Sequence, residues 1–413
     1  MRLHPFKALR PDPVLAEKVA AVPYDVVNRA EAARLAEDNP HSFLHVGRSD
    51  IDLPPETDPH DDRIYATARA ALDRMLRDGT LIREREPSLY IYRQEMDGRV
   101  QTGVVGCVHI DDYEQDVIRK HEKTRKDKED DRTRHVLTLD ANAEPVFLTY
   151  RGTPDVDRLV ARATTAPPLY DFTANDGVRH TVWRVADTRP YCDAFGGVPL
   201  AYVADGHHRS ASAWRAGLER RAANAQHFGN EEYNWFLAVL FPAEQLRILP
   251  YNRVVKDLHG QTPAEVRERL RQLGTLTPTE DPVPAAAGSF CIYLDGTWYR
   301  LDLDGSLIDD GDPIGSLDVS LLQDRVLGPV LGVGDPRTDD RVDFIGGIRG
   351  TAELERRVDS GDAAVAFSMY PTTLGQLMSV SDAGAIMPPK STWFEPKLRS
   401  GLFVHTLDSP ERA

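Results

Sequence analysis

The sequence predicts a mixed α/β (α+β) fold. Short β-rich apolar runs recur between helix-patterned segments along most of the chain. One of them, Tyr202-Val203-Ala204, breaks off into Asp205-Gly206-His207-His208-Arg209 and then into the small, helix-prone Ser210-Ala211-Ser212-Ala213-Trp214. The length of 413 residues allows a large core and roughly two or three folding units. Mixed α/β architecture follows from that alternation.

In chain order, 31–37 and 65–78 read as helices, the second ended by Gly79 near an expected C-cap. The Pro/Asp-rich 54–59 reads as a loop. Residues 88–93 and 103–110 are β-rich and are joined by Met96-Asp97-Gly98-Arg99, the signature of a hairpin. After a charged stretch at 119–134, further strands are expected at 145–150, 182–185, 202–205 and 233–241. A polar helix at 262–273 precedes a Pro/Ala-rich linker at 276–288, strands around an Asp-Gly turn within 290–303, a core strand at 363–367 and a helix near 373–378. No internal repeat is evident. The expected division is an N-terminal α/β region at 1–150, a core region at 151–275 and a C-terminal α/β region at 276–413.

Composition narrows the function classes. A formal charge of −15 argues against nonspecific nucleic-acid binding, which rests on neutralising phosphates. It leaves room for a local basic pocket that takes a small anion. Cys107, Cys192 and Cys291 form no CxxC pair, so a reducing, cytoplasmic compartment is expected and a disulfide framework or structural zinc site is not. The N-terminal stretch has no signal-type apolar core, and no run approaches membrane-spanning length, so no membrane association is expected.

Four constellations carry chemistry. In the first, the Asp205–Arg209 turn places an acid, a glycine, two imidazoles and a guanidinium where a strand gives way to a helix start. Backbone N–H groups and a positive dipole end favour phosphate there. Arg209 adds bidentate recognition, and Asp205 can hold a cation or accept a proton. His207 and His208 are adjacent and would face opposite ways on a strand, which makes them poor joint zinc ligands.

The second is the charged run 119–132, which reads equally as a solvated helix with i,i+4 pairs or as a polyanion site. His121, Lys123, Thr124, Arg125 and Lys126 crowd five donors into six residues. The third is the tail Met387-Pro388-Pro389-Lys390-Ser391-Thr392-Trp393-Phe394-Glu395-Pro396-Lys397-Leu398-Arg399-Ser400-Gly401. There Lys390, Ser391, Thr392, Lys397 and Ser400 mix cations and hydroxyls in a way that suits phosphate oxygens, without forming a Walker loop. The fourth is Val22-Pro23-Tyr24-Asp25-Val26, which adds Asp25 to Asp205 as a candidate proton acceptor for a hydroxyl undergoing phosphorylation. HExxH, GxGxxG, GxSxG and the kinase catalytic-loop set are all missing from the sequence.

Taken together, the Asp-Gly-His-His-Arg turn, the Lys-His-Glu-Lys-Thr run, the tail, Val22-Pro23-Tyr24-Asp25-Val26 and Asn39-Pro40 with Ser42-Phe43-Leu44-His45-Val46 resemble a large bacterial family long described as of unknown function. The likeness covers nearly the whole chain. Members of that family include pyrophosphate-dependent free L-serine kinases, distantly similar to nucleotide-dependent serine kinases and to the ParB/sulfiredoxin-like fold. The resemblance therefore implies a ParB/sulfiredoxin-like catalytic core with additional α/β elements. Sulfiredoxins carry Gly-Cys-His-Arg, whereas this chain reads Gly206-His207-His208-Arg209, which puts sulfinic-acid repair in doubt.

The implied reaction is reversible phosphoryl transfer from pyrophosphate to free L-serine, giving O-phosphoserine and orthophosphate with Mg²⁺. Asp205, Asp25 and His207 would then be catalytic, Asp25 by resemblance to the N-terminal acid of the serine-kinase superfamily. Phosphates would be held by His208, Arg209, His121, Lys123, Thr124, Lys390, Ser391, Thr392, Lys397 and Ser400, with Asp205 and Glu122 on the metal. The alternatives are a metal-dependent phosphatase of phosphoserine or a similar metabolite, and a ParB-like nucleotide-binding regulatory module.

Overall fold

A computed structural model describes residues 1–407. The chain forms two compact units, one built from Met1–Leu246 together with the segment from Pro396, the other from Arg247–Glu395. The division falls elsewhere than at 150 and 275. The first boundary lies at the end of a central strand of the first unit, and the second cuts a strand of the second unit.

The first unit is organised on a nine-stranded sheet. Its strands are β1 (Leu3–His4), β2 (Leu89–Met96), β3 (Arg99–His109), β4 (Ile118–Arg119), β5 (Val146–Tyr150), β6 (Tyr170–Thr173), β7 (Arg179–Val185), β8 (Ala201–Asp205) and β9 (Trp235–Pro242). They run in the order β4-β8-β5-β9-β3-β2-β7-β6, with β1 added against β3. The β2–β3 hairpin closes as the Asp-Gly dipeptide predicts, with Asp97 at φ 52° and Gly98 at φ 71°.

Strands β5 and β8 are largely apolar, with only Thr149 and Asp205 polar, because the sheet is covered on both faces. Val146, Leu148, Tyr150, Ala201 and Val203 enter one buried cluster with Ile91, Val104 and Phe236, while Phe147, Tyr202 and Ala204, which alternate with them, are also buried. A second apolar cluster gathers Phe43, Leu72, Met75, Leu139 and Val404. The helices that matter for the site are α1 (Arg29–Ala36), α2 (Asp62–Arg77), α3 (Lys126–Leu139) and α4 (His207–Ala223). Helix α1 opens with the reciprocal capping box of Asn28 and Glu31. The charged stretch divides between β4, a connecting segment and α3.

The second unit carries a six-stranded sheet. Its strands are β11 (Tyr251–Val255), β12 (Gly274–Pro278), β13 (Ser289–Leu294), β14 (Thr297–Leu303), β15 (Val342–Gly346) and β16 (Val365–Met369), in the order β12-β14-β13-β16-β11-β15. The chain enters and leaves this unit side by side, with β10 (Arg247–Leu249) antiparallel to β17 (Trp393–Glu395). Residues 276–278, expected to begin a linker, instead complete β12 against β14, since Leu276 and Thr277 find backbone partners in Leu301 and Arg300. The polar helix forms as Pro263–Arg271 behind a Thr262–Glu265 capping box.

Candidate functional site

The site is built where β8 ends. Strand β8 lies antiparallel to β5, with Val203 opposite Leu148 and Asp205 opposite Phe147, the register slipping between them. Gly206 then turns the chain at φ 93°, and α4 begins at His207. A side chain is excluded at Gly206 on two grounds. The left-handed backbone disfavours it, and an added Cβ would lie 3.0 Å from Arg209 Nε. Helix α4 packs through Ser210, Ala211, Ser212, Ala213 and Ala216, all buried. Among the described residues no side chain caps its start, so its first N–H groups remain available to an anion.

Helix α4 starts at His207, so the two adjacent histidines stand on its first turn, and they part company there. The His207 ring meets His121 edge to face, with centroids 4.4 Å apart. His121 and His207 are 2% and 5% exposed. Neither nitrogen of His121 has a hydrogen-bond partner among the described residues, nor has His207 Nε2. His207 Nδ1 lies 3.6 Å from Glu122. Burial drives both imidazoles toward the neutral form, His121 down to about 4 despite the nearby Asp205 carboxylate, and His207 well below the ordinary range with His121 adding to the effect. His208 turns toward the charged run, where its Nε2 accepts from the Arg125 amide at 3.1 Å.

Arg209, 7% exposed, is the hub. One terminal nitrogen donates to Asp205 at 2.9 Å and the other to the Pro145 carbonyl at 2.5 Å. Asp25 stands 3.8 Å away, and Nε has no partner among the described residues. Burial works against the guanidinium charge, but Asp25, Asp205 and Glu144 outweigh it and raise its proton affinity. Lys397 approaches the other Asp205 oxygen at 3.5 Å. Burial pushes the Asp205 carboxyl up, yet Lys397, Arg209 and His207 together hold it at about 2.

The structure thus brings Asp25, His121, Glu122, Asp205, His207, Arg209 and Lys397 into one cluster of the first unit. Other expected residues are differently employed. The Thr124 hydroxyl donates to Glu129, and Lys123 is exposed. Ser400 donates its hydroxyl to Glu144 at 3.1 Å and is tied to Ala21 by two backbone bonds. The phosphate-suited tail is split between the units, with Lys397 and Ser400 in the first and Lys390, Ser391 and Thr392 in the second. There Ser391 donates to the Pro388 carbonyl at 2.7 Å, and Lys390, exposed, sits 5.4 Å from the Tyr251 ring centre.

Two residues of this neighbourhood escaped the sequence reading. Glu144 precedes β5 inside Ala-Glu-Pro, a context that reads as a loop. Arg132 lies in the charged run and stacks on Tyr24 at 4.4 Å. With Arg209 and Ser212 they line a cavity of about 30 Å³, room for about one water. Among the described residues no group of three or more His, Cys, Asp or Glu side chains is placed to hold a metal ion. Asp205 is committed to two cations, so this donor set does not fit a resident Mg²⁺, and Glu122 by itself does not make one.

Similar proteins were found by fold and by family. A free serine kinase in complex with AMP aligns over 74% of this chain and 92% of its own, at 14% identity and a TM-score of 0.36. SbnI with a C-terminal truncation, from Staphylococcus aureus, aligns over 73% and 87%, at 12% identity and a TM-score of 0.38. A conserved hypothetical protein from Pyrococcus furiosus aligns over 73% and 95%, at 14% identity and a TM-score of 0.35. The chain matches no curated protein sequence. The family model of DUF1015, described as a protein of unknown function, matches residues 3–320, more than half of the chain, and the protein belongs to that family.

Proposed function

We propose that the protein is a phosphotransferase that moves a phosphoryl group from pyrophosphate to the hydroxyl of free L-serine. The observation that carries this reading is the set of buried nitrogen atoms without partners at the uncapped start of α4: both of His121, Nε2 of His207 and Nε of Arg209. Each neutral imidazole has one N–H donor, and a bound anion would satisfy those two N–H groups together with Arg209 Nε. Pyrophosphate is the proposed donor because a compact polyanion needs closely spaced hydrogen-bond donors and no purine slot.

Arg209 and Lys397 would hold phosphate oxygens while Asp205 fixes their positions. The neutral imidazoles of His121 and His207 would each offer an N–H without adding charge. Mg²⁺ enters this scheme as the counter-ion carried by pyrophosphate, with phosphate oxygens and water as its main ligands. Purified protein incubated with L-serine, Mg²⁺ and either pyrophosphate, ATP or ADP tests the reading, with phosphoserine followed by phosphorus NMR. Phosphoserine is expected from pyrophosphate and, because the reaction is reversible, pyrophosphate from phosphoserine and orthophosphate. Product formed from a nucleotide alone overturns the donor assignment.

A further inference from the structure

Three carboxylates surround Arg209, and they are not equivalent. Asp205 is fixed between Arg209 and Lys397. Asp25 stands farther off at 3.8 Å, with more of its side chain in solvent. Glu144 lies two residues before the start of β5, whose antiparallel neighbour β8 ends at Asp205, so the pairing brings Glu144 to the same sheet edge.

Its Oε1 accepts from the Ser400 hydroxyl at 3.1 Å, and Ser400 is itself pinned by backbone bonds to and from Ala21 at 2.9 and 3.1 Å. Its Oε2 accepts no hydrogen bond from the protein among the described residues. Gly47 leaves this carboxylate its room, since a Cβ there would come within 2.8 Å of Oε1. Burial lifts the Glu144 carboxyl above its ordinary range against the pull of Arg209, with Asp25 adding to the rise, while Asp205 is pushed the opposite way. Two acids in one site whose proton affinities are driven apart divide the acid and base work between them.

We propose that Glu144, anchored by Ser400, accepts the proton of the acceptor hydroxyl, and that Asp205 stays a fixed anion that orients Arg209 and Lys397. The proposal rests on the phosphoryl-transfer reading and gives it a base. The hydroxyl proton passes to Glu144 Oε2 as the hydroxyl oxygen bonds to the terminal phosphorus. The bridging P–O bond breaks, its electron pair leaves with orthophosphate, and the proton on Glu144 returns to that orthophosphate.

The test compares wild type, Glu144→Gln and Asp205→Asn over a pH range with serine, pyrophosphate and Mg²⁺. Glu144→Gln is expected to lower kcat about a hundred- to ten-thousand-fold, to leave the KM for serine within about threefold, and to erase the acid limb of the kcat profile in the residual activity. Asp205→Asn is expected to raise the KM for pyrophosphate while keeping that limb. Should Glu144→Gln not fold, Ser400→Ala, which removes only the anchor, is expected to lower kcat and move the acid limb. A Glu144→Gln protein with near-wild-type kcat, or with intact kcat and a raised KM for serine, overturns the proposal. Wild type that makes no phosphoserine from any donor overturns the reaction itself, an outcome distinct from an active wild type beside an active variant.

Discussion

Arg209 in the first unit and Arg253 in the second are both buried arginines, and they are satisfied in opposite ways. Arg209 bonds Asp205 and the Pro145 carbonyl, has Asp25 and Glu144 near it, and keeps Nε unpartnered. Arg253, 3% exposed on β11, is held by the carbonyls of Tyr251 and Lys390 and lies 5.2 Å from the Phe344 ring centre. No carboxylate pairs with it among the described residues, and burial pulls its proton affinity down to about 9. A guanidinium ringed by acids beside unpartnered donors suits the phosphate site proposed above. One tied to carbonyls and an aromatic face is a strut.

The largest effect expected from this contrast is at Arg209. Arg209→Met leaves Asp205, Asp25 and Glu144 without their shared cation, and breaking a buried pair from one side costs about 3–5 kcal/mol. Urea unfolding should show that loss, together with activity below detection. The matching change Arg253→Met frees two carbonyls but also removes a buried charge that has no counter-ion, so it should cost less than Arg209→Met and spare kcat. Equal losses at the two positions would erase the distinction.

The next effect is acid sensitivity of the first unit. His121 is held at about 4 against an ordinary 6.5, so between those values the unfolded chain binds more protons than the folded one. Stability from this residue is therefore complete above pH 6.5 and is lost as pH falls through about 4. The span corresponds to roughly 3 kcal/mol by linkage. His207 is displaced in the same direction and adds to the slope. Stability measured from pH 7.5 to 4 should fall, and His121→Phe should flatten the fall. An unchanged slope in that variant would mean that His121 is solvated and its nitrogens are not orphaned.

The strand–turn–helix at 202–223 was legible because its signals are local: an apolar run, a glycine that the turn requires at φ 93°, and a small-residue helix behind it. The β2–β3 hairpin was legible for the same reason. Glu144 was not, because its place beside Arg209 depends on β5 pairing with β8 some sixty residues later, and Ala-Glu-Pro carries no trace of that partner. Nor was the split of the tail. Its cations and hydroxyls run on without a break in composition, but β17 ends at Glu395, where the chain leaves the second unit, and the next residues belong to the first.

The smallest expected effect tests that split at Lys390. The residue is exposed, sits at φ 56° and lies 5.4 Å from the Tyr251 ring centre. Lys390→Gly removes a cation–π contact worth about 0.5–1 kcal/mol at an exposed site and relieves a left-handed backbone by a similar amount. The two contributions oppose each other, so the unfolding midpoint should scarcely move. If the second unit's cations are struts, the KM for pyrophosphate should stay within about twofold, because uniform substrate binding is the quantity that a lost phosphate ligand would change first. A rise of about tenfold with kcat unchanged would correspond to roughly 1.4 kcal/mol of lost binding. That result would return Lys390 to the phosphate ligands and make the contrast between Arg209 and Arg253 one of degree.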